Sequence, residues 1–365
     1  MASVQPLVLM TAGGTGGHVY PALAVATELM ARGLRVEWVG TVRGLEHRVV
    51  PAAGITLHCL PVRGVRGKSM LHQALGLWLL LLASARALWL LYRLAPSCVV
   101  GMGGYVAGPA GASAWLLRKP LLIHEQNAVA GTTNRMLAPL AALVVAAFPG
   151  AFRERVEYRV LGNPVRRALV EAGASRHYDY AGQRTLRLLV LGGSLGARPI
   201  NEVLPATVRA IRAGGQQLEV WHQAGEAHVA AAQASYGELL GESLRVVAFI
   251  EDMAAAYAWA DLVLCRAGAL TVSELAVMGC PSILVPLPYA IDDHQSANAR
   301  FLSDAGAAML LRQADMNAES LAASLRGYMA QPGLLVRMAA AAAAVATPDA
   351  AARVSDCCEE LIHGR

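Results

Sequence analysis

The chain has 365 residues, 55% of them hydrophobic, a length that suggests two domains with large cores. No charge-free run reaches the roughly 18–20 apolar residues of a membrane-spanning helix, and the six cysteines (59, 98, 265, 280, 357 and 358) form no CxxC pair, which fits a reduced, cytoplasmic protein. The net charge of +5 is unevenly spread: residues 1–163 carry 15 Lys and Arg against 6 Asp and Glu, the remainder 16 against 20, so the first half points to an anionic partner.

The apolar run 7–11 (LVLMT) has no basic region ahead of it and reads as a first strand, not a signal peptide. It opens into MTAGGTGGH, residues 10–18, and then into a helical pattern. Strand-like runs follow at 35–40, 55–60, 97–101, 120–124, 142–147 and 158–161, then at 186–191, 217–222, 245–249, 261–265 and 282–286. Their alternation with helical patterns predicts parallel sheets flanked by helices. The series strand, glycine loop, helix recurs at 186–208 as LRLLVL, GGSLGA, RPINEVLPATV. The expectation is an α/β protein of two Rossmann-like, doubly wound domains facing one cleft. Gly162-Asn163-Pro164 is the expected hinge, giving domains at 1–163 and 164–340. The Ala-rich end, 341–365, is expected to pack back on the first domain, with a break near Pro348.

A glycine loop between strand and helix lets backbone N–H groups face an anion with the helix dipole behind them. The same glycines can serve only to make a tight turn. The dinucleotide fingerprint GxGxxG fails, because Val19 stands where a third glycine is needed after Gly14 and Gly16, and Glu37 falls mid-strand. His18, closing the first loop, is either a surface or capping residue or a general base, for which an ordinary pKa near ~6.5 is suited. TVSE, from Thr271 to Glu274, reads as a capping box and also as a ligand loop at the carboxyl end of strand 261–265. Asp-x-Asp, the usual metal–diphosphate clamp, is absent from the sequence, and Asp292-Asp293 reads as a surface turn.

GGTGGHVYPALAVA, GMGGYVAGPAGASA, HEQNAVAGTTNR, GNPVR, LGGSLGAR, FIEDMAAAYAWADLV, CRAGALTVSELA and DDHQSANA follow one another over nearly the whole chain. In that register the chain resembles the bacterial MurG family, the N-acetylglucosaminyltransferases that make lipid II from lipid I. The resemblance implies a GT-B fold and inverting, metal-independent transfer of GlcNAc from UDP-GlcNAc to the 4-hydroxyl of MurNAc in undecaprenyl-pyrophosphoryl-MurNAc-pentapeptide, with no cofactor. It further implies that Ala269, Leu270, Thr271, Val272, Ser273 and Glu274 line the donor, Glu274 accepting hydrogen bonds from the ribose. Ser194 would meet the diphosphate, Ile250 would read the uracil edge through its main chain, and Gln295 would contact the GlcNAc hydroxyls. From the first domain Thr15, Gly16 and Gly17 would contribute to the closed cleft, Asn127 would bind the donor sugar, and Arg166 would lie near the hinge on the donor side. His18 is the favoured base; Glu125 is its rival, with His124 placed to tune it. Tyr105, in the glycine-rich segment 101–111, is an expected acceptor contact.

The run 70–94 carries Trp78, Trp89 and Tyr92, with Arg86 and Arg93 inside it and Arg63, Arg66 and Lys68 ahead of it, in a stretch from His47 to His124 without an acidic residue. It is either a buried core helix or a helix lying on an anionic membrane surface. An undecaprenyl tail must stay in the bilayer, so the second reading is expected: peripheral attachment at the cytoplasmic face of the plasma membrane. Two alternatives stand beside the transferase: another UDP-sugar enzyme of the fold, such as a UDP-GlcNAc 2-epimerase, and a non-catalytic sugar-nucleotide-binding membrane subunit. No aromatic-interleaved basic ribbon suggests nucleic acid.

Overall fold

The computed structural model describes residues 5–62, 70–152, 155–193, 196–288 and 293–364, with side chains from 78 onward in the helix that begins at Met70. The chain divides into two compact units, Met1–Arg166 with Pro348–Arg365, and Arg167–Thr347.

The first unit runs β1 (Leu7–Thr11), α1 (Gly16–Ala31), β2 (Arg35–Gly40), α2 (Glu46–Ala52), β3 (Thr56–Cys59), α3 (Met70–Leu94), β4 (Cys98–Gly101), α4 (Ala107–Leu116), β5 (Leu121–Glu125), α5 (Thr132–Leu137), β6 (Leu143–Ala146) and β7 (Arg159–Val160). Among the described residues these strands form one parallel sheet in the order β3-β2-β1-β4-β5-β6-β7. Its central strands are buried along their whole length, which is why they read as largely apolar runs, β5 closing on His124 and Glu125. Side chains alternate between two cores. Val8, Met10, Cys98, Val100 and Leu122 pack with Val19, Ala22, Val25, Ala26 and Leu29 of α1. Leu9, Val99, Leu121 and Ile123 face Ala83, Ala87, Leu90 and Leu91 of α3 and Ala110 and Ala114 of α4.

The second unit continues α6 (Arg167–Ser175), β8 (Leu186–Leu191), α7 (Arg198–Ala213), β9 (Leu218–Gln223), α8 (Val229–Tyr236), β10 (Leu244–Val247), α9 (Met253–Trp259), β11 (Leu262–Cys265), α10 (Ala269–Val277), β12 (Ser282–Leu284), α11 (His294–Ser303), β13 (Ala308–Leu310), α12 (Ala318–Ala330) and α13 (Pro332–Ala344). Its sheet, again parallel, has the order β10-β9-β8-β11-β12-β13. In α7, Ile200, Leu204, Val208 and Ile211 recur at helical spacing and close the core over Leu186, Leu188 and Val190. In each unit the order of strands turns back at one place, between β1 and β4 and between β8 and β11. Loops at the carboxyl ends of such a pair leave a crevice.

β13 was not expected from the sequence: three residues behind Gly306 are too few to show a period. Asn163 and Val165 are buried, so the peptide past the expected 163/164 boundary stays packed in the first unit, which ends at Arg166. Residues 341–344 finish α13 in the second unit, with Ala342 buried against its neighbours. The chain breaks around Pro348 before α14 (Ala350–His363), whose Val354, Cys357 and Cys358 join the core beneath α1. Arg32, capping α1, donates to Asp356 at 2.6 Å, to Glu359 at 2.9 Å and to the Ala352 carbonyl at 3.2 Å. All six cysteines are free thiols.

Candidate active site

In the first unit the loop between β1 and α1 reaches the turning point of the sheet. Gly14, at φ +102°, is held from below: its N–H donates to Glu46 Oε2 at 3.1 Å. The N–H and hydroxyl of Thr41 donate to Glu46 Oε1 at 2.9 and 2.8 Å. The buried Glu46 carboxylate, at the start of α2, therefore fixes the loop from outside it. Thr15 stands at the N-cap in extended conformation with its hydroxyl unused in capping, and both Gly14 and Thr15 are exposed. Gly16 and Gly17 begin the helix, where the first N–H groups have no intrahelical acceptor and suit an anion.

The loop after β4 lies against it. Gly103 has φ +88°, and a Cβ there would stand 2.8 Å from His18 Nδ1, so only glycine lets the imidazole lie on this backbone. The half-buried His18 ring has its Nδ1 2.9 Å from Gln126 Oε1. Gln126 Nε2 is 3.2 Å from His124 Nδ1 and donates to the His124 carbonyl at 3.3 Å. His124 Nε2 is 2.9 Å from the Gly162 carbonyl. His124 is fully buried on β5, and desolvation pulls its pKa down to about 4 against the opposing pull of Gly162 and Glu125. Tyr105 is exposed beside these groups in sequence.

Glu125 does not suit the role of rival base. It is 1% exposed, and it accepts from Asn127 N at 2.9 Å, Asn127 Nδ2 at 3.2 Å, Gly131 N at 3.0 Å and Asn134 Nδ2 at 2.8 Å. That set of donors makes it the anchor of the loop 126–131. His124 is tied to Gln126 and Gly162 through its ring, so its expected pairing with the Glu125 carboxylate gives way to a chain leading to His18. Asn127 is half-buried and held by Glu125. Arg166, the last residue before the second unit, lies with its guanidinium carbon 5.1 Å over the ring of Tyr20 on α1.

In the second unit the loop between β8 and α7 carries Gly193 and Gly196 at positive φ. Ser194 lies outside the described residues. A Cβ on Gly196 would press on the Ala224 carbonyl and the His228 ring, so the turn requires glycine there. On the adjacent strand the chain passes from β11 into α10. The capping box expected at Thr271–Glu274 does not form, because Gly268 is the N-cap and the helix already begins at Ala269. Helix geometry then leaves the N–H groups of Ala269, Leu270 and Thr271 without an intrahelical acceptor, while Val272 N donates to the Gly268 carbonyl at 2.9 Å. Val272 and Ser273 are buried, and Ser273 Oγ donates back to the Ala269 carbonyl at 3.0 Å. Glu274, 5% exposed, accepts from the hydroxyl of the fully buried Tyr257 at 3.0 Å.

Ile250 is buried in the link between β10 and α9, next to an exposed Phe249. Gln295 lies in the first turn of α11, not in a loop, and its Oε1 accepts from Leu287 N at 3.0 Å. Asn298, one turn on, donates to the Ala267 carbonyl at 3.1 Å and so ties α11 to the loop after β11. Asp293 accepts from Ser296 Oγ at 2.7 Å as part of a turn; Asp292 lies outside the described residues. Among the described residues no group of three or more His, Cys, Asp or Glu side chains is placed to hold a metal ion. Sequence reasoning missed Glu46, Gln126 and Tyr257. Gln126 sat in the quoted HEQN without a role, and the other two act across the fold and carry no local signal.

Models of the glycosyltransferase family 28 N-terminal and C-terminal domains match residues 8–146 and 187–354. The UDP-N-acetylglucosamine--N-acetylmuramyl-(pentapeptide) pyrophosphoryl-undecaprenol N-acetylglucosamine transferase of Stutzerimonas stutzeri is 51% identical over 357 residues, covering 98% of this chain and 99% of that protein. The crystal structure of Acinetobacter baumannii MurG superposes with a TM-score of 0.81 at 40% identity, over 97% of this chain and 99% of that one. A putative UDP-N-acetylglucosamine 2-epimerase from Listeria monocytogenes superposes at 0.69 with 15% identity, over 99% of this chain and 98% of that one; at that identity the likeness concerns the fold alone.

Proposed function

The chain belongs to glycosyltransferase family 28, among its MurG enzymes, and from that premise we propose how its residues divide the reaction. It transfers N-acetylglucosamine from UDP-N-acetylglucosamine to lipid I, forming lipid II for peptidoglycan. The second unit takes the donor: Glu274 accepts from the ribose hydroxyls, the N–H groups at the start of α10 and the glycine loop with Ser194 meet the diphosphate, Ile250 reads uracil, and Gln295 holds the sugar; Asn127 of the first unit also binds the donor sugar. The first unit takes the acceptor, and its Thr15, Gly16 and Gly17 contribute to the cleft, with Arg166 on the donor side. His18 removes the proton of the MurNAc 4-hydroxyl as that oxygen attacks the anomeric carbon. UDP departs from the opposite face, and the configuration inverts.

The observation that supports this division is that each turning point holds a helix N-terminus beside a matching group, an imidazole in one unit and a buried carboxylate in the other. Developing charge on a leaving diphosphate is stabilised by preorganised N–H donors and helix dipoles, and proton abstraction needs a base near neutrality. The residues separate kinetically. Glu274→Ala raises the donor KM by about two orders of magnitude, as expected when a charge-assisted bond of ~1.5–3 kcal/mol is lost with its network. His18→Ala lowers kcat by ~10²–10⁴ with little change in donor KM. Near-normal kcat in His18→Ala would remove it from the mechanism. Turnover persists in a chelator; activity restored only by a divalent cation would overturn catalysis by N–H donors alone.

We place the enzyme at the cytoplasmic membrane face through α3. Among the described residues no helix is long and apolar enough to cross a membrane. The two faces of α3 differ. Ala83, Ala87, Leu90 and Leu91 are buried, whereas Trp78, Leu81, Trp89 and Tyr92 form an outward stripe at helical spacing. Trp115 and Leu116 at the end of α4 are exposed as well, and Arg86 and Arg93 accompany the stripe. Arg63, Arg66 and Lys68, which complete the basic cluster, lie outside the described residues. Exposed aromatics with cations suit an interface of headgroups and acyl chains.

A further inference from the structure

We propose that Gln126 and His124 are positioning residues that lock His18 in its Nδ1–H tautomer and leave the Nε2 lone pair to take the acceptor proton; the second half rests on the reading of His18 as the base.

The polarity of these hydrogen bonds is set at their far end, by a backbone carbonyl. The Gly162 carbonyl can only accept, so His124 Nε2, 2.9 Å away, carries a hydrogen. A neutral imidazole has a single N–H, which makes His124 Nδ1 an acceptor. Burial keeps this ring neutral at working pH, its pKa being held at about 4. The group facing that nitrogen at 3.2 Å is the Gln126 amide, and only the NH2 end of an amide can donate. The same NH2 lies 3.3 Å from the His124 carbonyl, a second obligate acceptor, so the amide is oriented from two directions. Its Oε1 therefore faces His18 Nδ1 at 2.9 Å and can only accept there. His18 Nδ1 carries the hydrogen, and Nε2 is bare.

Gln126 could not do this alone. An amide turned end for end has nearly the same shape, and would then offer N–H to Nδ1 and select the other tautomer. His124 and the Gly162 carbonyl supply the missing polarity. The hydrogen-bonded series from Gly162 through His124 and Gln126 to His18 includes no carboxylate, since that of Glu125 is turned to Asn127, Gly131 and Asn134. It orients His18 through neutral groups alone. His124, buried and unused by the chemistry itself, thereby gains a role.

The test uses the full-length protein labelled with ¹⁵N-histidine. At pH 7.5 the His18 ring should show a protonated-type Nδ1 and a bare, pyridine-type Nε2. In Gln126→Leu the pattern should become a mixture, and kcat should fall about tenfold or more, with donor KM within about twofold. In Gln126→Glu the tautomer should persist, while the carboxylate moves the acidic limb of the kcat/KM–pH profile upward by about a unit or more. A bare Nδ1 in the wild type, or a tautomer unmoved in Gln126→Leu, would overturn the proposal. If Gln126→Leu fails to fold, the wild-type spectrum and the Gln126→Glu profile decide it. If the tautomer responds as described while His18→Ala turns over normally, the lock stands and the base assignment falls.

Discussion

Replacing Trp78 and Trp89 together by Ser tests membrane attachment where the structure makes the expected effect calculable. The two rings are 64% and 59% exposed. An aromatic side chain buries ~150–250 Å² when enclosed, so each offers roughly 120 Å² to a partner. Sinking about half of that into the headgroup boundary removes ~60 Å² per ring from water, worth ~1.5 kcal/mol each at ~25 cal/mol per Å². The pair contributes ~3 kcal/mol, about a hundredfold in partitioning. Folding should hardly change, because the face of α3 that meets the core consists of Ala83, Ala87, Leu90 and Leu91. The indole of Trp89 does lie 5.4 Å from the Arg93 guanidinium, an exposed contact worth ~0.5–1 kcal/mol. The assay is co-sedimentation with vesicles of anionic phospholipid at fixed ionic strength, beside thermal unfolding. Binding within twofold of the wild type, with the unfolding temperature intact, would refute the attachment.

Two further predictions concern the partner of Glu274 and the buried histidines. Tyr257→Phe removes the hydroxyl that holds Glu274 at 3.0 Å, a bond to a charged group worth ~1.5–3 kcal/mol, and should raise donor KM about tenfold while kcat changes little; an unchanged KM would show that Glu274 is positioned without it. His124 in the first unit and His222 in the second are both held near a pKa of about 4 by burial. The unfolded chain, with an ordinary value near ~6.5, binds more protons between the two pH values. The stability these rings allow is complete above pH ~6.5 and falls by up to about 3 kcal/mol per histidine as pH drops toward 4. Urea midpoints measured at pH 7.5 and 5 should therefore fall for both units, and equal midpoints would contradict the burial argument.

The parts of the fold that were legible in the sequence owe this to local physics. β1, β4, β5 and β8 are largely buried and so appear as mostly apolar runs, and Gly14 and Gly196 advertise backbone that other residues resist. His18 stood out because it closes such a loop. What stayed hidden depends on pairing across the fold. Glu46 reaches Gly14 over 32 positions, and Gln126 reaches His18 over 108, without any period to announce either. Glu125 looked like a base because a carboxylate beside a histidine suggests one; the four donors that occupy it come from the loop that follows it and from Asn134 on α5. TVSE resembled a helix start, but Gly268 already satisfies the extended N-cap backbone three positions before Thr271. α3 is apolar on every side in sequence, so only packing could tell its core face from its exposed one.

The most direct measurement follows radiolabelled UDP-GlcNAc incubated with the protein and a lipid I analogue. The account predicts label in a disaccharide lipid, one UDP released for each sugar transferred, and no consumption of donor without acceptor. Donor turned over to a free sugar in the absence of lipid I, or bound without any transfer in its presence, would contradict it.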